Sequence, residues 1–169
     1  YVLLAGTASP VMLISASDTA VADINPFKYA ESFAALVGID AIRGYELTIG
    51  DLMIEGRIER TGDEEDPVED YFINDQKIEE DLFKDFYQVL IGRQIEGDAE
   101  AEVADQFQDS LPVFQLRYFS RDDESLVKEV EFYPYDDDFN VLQIDGGTRR
   151  FLIGRYQVDY IVEQAELLL

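Results

Sequence analysis

Apolar residues recur at helical spacing in three stretches of this chain and alternate with polar ones in most of the others. Phe27, Ala30, Phe33, Ala34 and Val37 share one helical face. Asn25 is placed to cap that helix, Pro26 suits its first position, and Gly38 closes it. The pattern predicts a helix over 26–37. A second is predicted over 79–91, where Leu82, Phe83, Phe86, Val89 and Leu90 line up and Glu79, Glu80 and Asp81 sit at the positive end of the dipole. A third is predicted over 155–168, from Val158, Ile161, Val162, Ala165 and Leu168.

Between the helices the period falls to two. Strands are predicted over 42–49 and 52–60 around the turn Gly50-Asp51, over 69–73 before the turn Asn74-Asp75, and over 113–120 and 126–133. The connections are short and hairpin-like, and no regular β-α-β alternation is present. The expected fold is therefore α+β, with antiparallel sheet built from hairpins and three main helices on one face. Two acid-rich stretches, 61–70 and 96–110, read as loops. The second is long enough to be an excursion or to hold a short helix.

Tyr1–Ser15 aligns without gaps on Asn140–Gly154, placing Val2, Leu3, Leu13 and Ile14 on Val141, Leu142, Leu152 and Ile153. Each copy reads as strand, small polar turn, strand, and each precedes a predicted helix. This suggests an internal hairpin-helix repeat. The implied division is a hairpin-helix half unit over 1–40 and a full α+β unit over 41–169, which can pack as one domain.

Composition narrows the chemistry. The 169 residues contain no histidine and no cysteine. That excludes Ser-His-Asp and Cys-His catalysis, zinc cages and iron–sulfur ligation within this chain. With 37 acidic against 13 basic residues the formal charge is −24, which repels nucleic-acid phosphate and anionic lipid alike. The hydrophobic share of 47% is ample for a core.

No remaining motif assigns a catalytic, cofactor-binding or metal-ligating residue. Asp136, Asp137 and Asp138 invite a divalent cation, but the spacing of a calcium loop is absent and a polar turn accounts for them. Gly44, Gly50, Gly56 and Gly62 recur every six residues without forming a phosphate loop, and read as turn and bulge glycines. Carboxylates are too abundant for any pair to signal glycoside hydrolysis, and there is no tryptophan to platform a sugar. Arg149, Arg150 and Arg155 form a basic island, expected to pair with the chain's own surplus acids.

Four strings, INPFKYAESFAAL, DLFKDFYQVLIG, EFYPYDDDFNVLQIDG and RRFLIGRYQVD, together resemble an uncharacterised bacterial envelope domain. It is a domain-of-unknown-function family encoded beside ABC-transporter components of the gliding-motility type. The resemblance implies a hairpin-then-helix unit recurring along the chain, and an extracytoplasmic location behind an N-terminal anchor. A chain that opens at Tyr1 directly on strand-like sequence is expected to be part of a longer protein. The longest apolar runs fall short of the roughly 18–20 residues a membrane span needs. The function expected is that of a non-enzymatic accessory domain acting by protein–protein contact, without cofactor, nucleic acid or direct membrane binding. The alternative is a small-ligand or cation-binding envelope module.

Overall fold

Side-chain alternation builds the first hairpin, in which Ile42–Ile49 (β1) pairs with Leu52–Asp63 (β2) across Gly50-Asp51. Gly50 takes a φ of 55°, a conformation glycine adopts without a Cβ clash. The computed structural model describes residues 33–63, 66–99, 107, 110–148 and 150–169, all of them in one compact unit. Asp66–Ile73 (β3) returns along β2, and Gln76–Ile78 (β4) returns along β3. The β3–β4 turn is Asn74-Asp75, with both residues at positive φ as a type I′ turn requires. The Asn74 side chain accepts from the Glu55 amide, tying the turn to β2.

A helix, Glu80–Ile91 (α1), follows. Gly97–Asp98 (β5) is a two-residue strand. A second meander then runs through Phe114–Ser120 (β6), Leu126–Pro134 (β7), Phe139–Ile144 (β8) and Arg150–Gly154 (β9), and ends in the helix Arg155–Glu166 (α2). Among the described residues the strands form one nine-stranded antiparallel sheet, in the order β4-β3-β2-β1-β6-β7-β8-β9-β5. The four-strand meander followed by a helix thus occurs twice, and the two copies join where β1 pairs with β6.

Both helices pack on one side of this sheet. Tyr45, Leu47, Ile54, Tyr71, Phe114, Leu116, Tyr118, Val130, Phe132 and Leu142 point to that side and are buried. Phe83, Phe86, Tyr87 and Leu90 of α1, with Val158, Ile161 and Ala165 of α2, meet them. Tyr45 lies at the centre, with ring centroids 5.8 Å from Phe83, 6.4 Å from Phe86 and 6.2 Å from Tyr87. Its ring crosses Gly56 on the neighbouring strand, and a Cβ there would overlap it. Gly56 is therefore a close-approach glycine in regular register, where a turn or bulge glycine was expected.

The helices expected over 79–91 and 155–168 are present as α1 and α2. The helix expected over 26–37 is not found in its described part. Phe33 bridges Gln94, the Ala34 amide donates to the Arg93 carbonyl, and residues 33–38 form no helix. Tertiary pairing to the chain beyond α1 replaces the i to i−4 ladder, and the apolar spacing there reports burial of Ala34, Ala35 and Val37 instead. Residues 26–32 lie outside the described residues. So does Tyr1–Ser15, one copy of the expected repeat; the other, Asn140–Gly154, is the β8–β9 hairpin. The acidic stretch 61–70 is largely strand, because β2 and β3 pair outward as far as Asp63 and Asp66. Backbone pairing there needs no apolar face, so alternation could not reveal it. In 96–110, Gly97–Asp98 is strand rather than loop.

Two predictions follow from this core. Replacing Gly56 with alanine forces the Tyr45 ring off its seat, and unfolding in denaturant should show a loss of about 1–3 kcal/mol, typical of overpacking. Burial pushes the hydroxyls of Tyr45, Tyr87 and Tyr118 above the ordinary phenol range. Burial and the hydrogen bond to Glu69 push that of Tyr71 to about 12. A pKa raised in the folded state means stability is intact below the unfolded phenol value near ~10 and is lost as pH climbs through the folded values. Alkaline unfolding should accordingly begin above about pH 10, with tyrosinate absorbance rising together with loss of helical circular dichroism. Tyrosinate formation in a chain that stays folded would contradict it.

Candidate functional site

The sheet's second face carries no helix among the described residues. Cross-strand register lays its side chains out in rows. One row reads Glu55, Glu46, Arg117, Glu129 and the next Met53, Thr48, Gln115, Glu131, Gln143, Arg150. Arg117 is the pivot. Its Nη1 donates to Glu46 at 3.0 Å, and its Nε lies 3.4 Å from Glu129. Gln115 bridges Glu129 and Glu131 at 3.1 and 3.2 Å. Toward the β3 side, Arg57 stacks over Phe72 at 4.4 Å and pairs with Glu59 and Asp75. Arg117 also lies over Phe119 at 5.3 Å.

Four carboxylates thus surround one central guanidinium on a face that is open rather than concave. A hollow of about 130 Å³ beside Gly44, where β1 departs from regular register, is the relief near its centre. That is well below the roughly 300 Å³ at which small-molecule pockets begin. Met53 is 66% exposed, and Val68 and Val127 stand exposed on the same face. Toward β9 the face is covered, because Phe107 and Ala99 pack on Tyr133, Val141 and Leu152.

The aspartate run forms the β7–β8 turn. Asp136 accepts from the amides of Asp138 and Phe139 at 2.9 and 2.7 Å. The Asp138 carbonyl accepts from the Arg155 amide, and the Asp136 carbonyl from the Arg155 guanidinium. The run therefore holds the first turn of α2. Among the described residues no three acidic side chains converge as a metal site would require. Of the basic island, Arg155 departs from its expected role, since among the described residues it bonds a main-chain carbonyl and not a surplus carboxylate. Arg150 likewise donates to the Gly147 carbonyl. Arg149 lies outside the described residues.

Sequence reasoning did not single out Glu46, Arg117 or Glu129. They sit on three different strands, and only the β1–β6 and β6–β7 registers bring them together. The one available signal was their alternation with the buried residues of the same strands.

No family model, no curated protein and no solved structure matches this chain.

Removing the pivot should cost little in salt and more without it. Arg117→Met leaves Glu46 and Glu129 facing each other with no counter-charge. For so exposed a group, thermal or denaturant unfolding should show a loss of about 0.5–1 kcal/mol at low ionic strength, shrinking as salt screens the repulsion. A loss independent of salt would mean that the arginine stem, not its charge, is what the face needs.

Proposed function

We propose that this chain is a non-enzymatic accessory domain that acts by protein–protein contact through the open sheet face. The observation that carries this reading is the shallow, acid-lined surface over β3-β2-β1-β6-β7, on which no helix packs among the described residues. Five strands at ~4.8 Å spacing and about seven residues of ~3.3 Å rise give roughly 550 Å² in projection. Side-chain relief enlarges that, toward the roughly 800 Å² per partner of a standard interface. A surface so open suits a macromolecule better than a small substrate. Glu46, Glu55, Glu129 and Glu131 suit a partner that presents lysine or arginine, with Met53 and Phe119 as apolar contacts.

The sequence resemblance places this activity in the bacterial envelope, outside the cytoplasmic membrane, beside an ABC-transporter system of the gliding type. Attachment to the membrane is through an N-terminal anchor in the full-length protein. No helix among the described residues is long and apolar enough to cross a membrane. Nucleic acid is not a partner on this reading, because the same carboxylates repel phosphate.

The test is capture from envelope extract with the tagged domain. Met53→Lys and Glu55→Lys change exposed positions and should leave the fold intact while abolishing capture. Asp81→Lys, on the solvent side of α1, makes a similar charge change elsewhere and should not. Equal capture by all three variants would remove the sheet face from consideration.

A further inference from the structure

On the other side of the sheet, α1 and α2 leave a groove between them of about 510 Å³, within the size range of small-molecule sites. Phe86, Val89 and Leu168 give it apolar walls, and Leu82 lies toward one end. Arg93 and Tyr160 stand at the other, just past the end of α1. From Leu82 to Val89 the helix rises roughly 10 Å.

Arg93 is unusual in so acidic a chain. Its contacts are a long hydrogen bond from Nη1 to the Gln157 carbonyl, 3.4 Å, and a stack over the Tyr160 ring at 5.3 Å. Its Nε is buried without a partner. Among the described residues no carboxylate lies within ion-pair distance of it, whereas Arg43, Arg57, Arg60 and Arg117 each have one. Asp85 is the one carboxylate among the groove's lining residues, and it does not pair with Arg93. A guanidinium with no carboxylate partner among the described residues, at the end of an apolar trough, is complementary to one chemistry.

We infer that the α1–α2 groove binds an amphipathic carboxylate, its head group on Arg93 and its apolar tail along Phe86, Val89 and Leu168. The guanidinium fork matches a carboxylate in two-point geometry, and the trough supplies burial for the tail. The net charge of −24 opposes any anion at long range. At physiological ionic strength that field is screened beyond about 8 Å, while contact with Arg93 is not. The site is separate from the sheet face and does not depend on the partner reading above.

Decanoate and decyltrimethylammonium are the probes, titrated into the isotopically labelled protein at about 0.15 M salt and followed by NMR. Decanoate should bind saturably and shift resonances of Val89, Arg93, Tyr160 and Leu168. Decyltrimethylammonium, with the same tail and opposite head, should not saturate there. Arg93→Gln should weaken decanoate about tenfold or more, the worth of a charge-assisted bond. Gln88→Glu leaves Arg93 and its packing in place and adds a carboxylate on the exposed groove wall, so it should weaken decanoate as well. Equal binding of the two probes would overturn the inference. So would shifts spread over the surface without saturation, or decanoate affinity unchanged in Gln88→Glu and in folded Arg93→Gln.

Discussion

Pairing of β1 with β6 is the constraint on which the rest depends. It joins strands more than sixty residues apart in sequence, and it is where the two meanders become one sheet. The register sets Tyr45 opposite Tyr118 on the helix side and Glu46 opposite Arg117 on the solvent side. A slip of one residue would turn one of the two strands over, parting Glu46 from Arg117, carrying one of these charges under α1 alone and exposing one of the tyrosines. The cost of burying an unpaired charge, added to the loss of a large buried ring, specifies the register strongly. Because Tyr87 of α1 stacks on both rings, at 6.2 and 5.9 Å, the helix reports on the seam directly.

What could be read from the chain without coordinates follows from where local signals coincide with tertiary ones. The two described helices were clear, since Phe83, Phe86 and Leu90, like Val158, Ile161 and Ala165, carry both the period and the burial. The hairpin around Gly50-Asp51 and the turn at Asn74-Asp75 were clear because the turn chemistry is local. Phe33, Ala34 and Val37 misled, because their spacing was set by contact with the segment after α1 and not by a helix of their own. The three-residue β4 and two-residue β5 were invisible, being too short to show a period. The groove was invisible for another reason. Arg93 and Tyr160 belong to segments nearly seventy residues apart, and no local pattern distinguishes an arginine that lacks a carboxylate from one that has one.

The acidity is distributed in a way that the net figure hides. Toward the core side, Glu69 accepts from Tyr71 and Arg60, and these hydrogen bonds hold its carboxyl below the usual range. On the open face the acids outnumber their central arginine, and among the described residues no helix packs over them. The first arrangement organises the fold at its β2–β3 arm. The second leaves unneutralised charge on a surface, where it costs the folded state some self-repulsion and supplies electrostatic attraction for a basic partner.

The Gln157 side chain shows how one buried amide couples these parts. It accepts from the Gln94 amide at 2.9 Å and donates to the Gln94 carbonyl at 3.0 Å, acting as a further strand edge for a segment that also bridges Phe33. It also donates to Glu96, which accepts from the Gly154 amide at the start of α2. The segment that follows α1 is thereby locked to the first turn of α2, and that lock holds Arg93 where α1 ends and α2 begins. The position of the guanidinium is thus a consequence of satisfying buried backbone groups between two helices. A side chain placed by such a lock loses little further freedom when something binds to it, and preorganisation of this kind is what lets a shallow site hold a ligand at all.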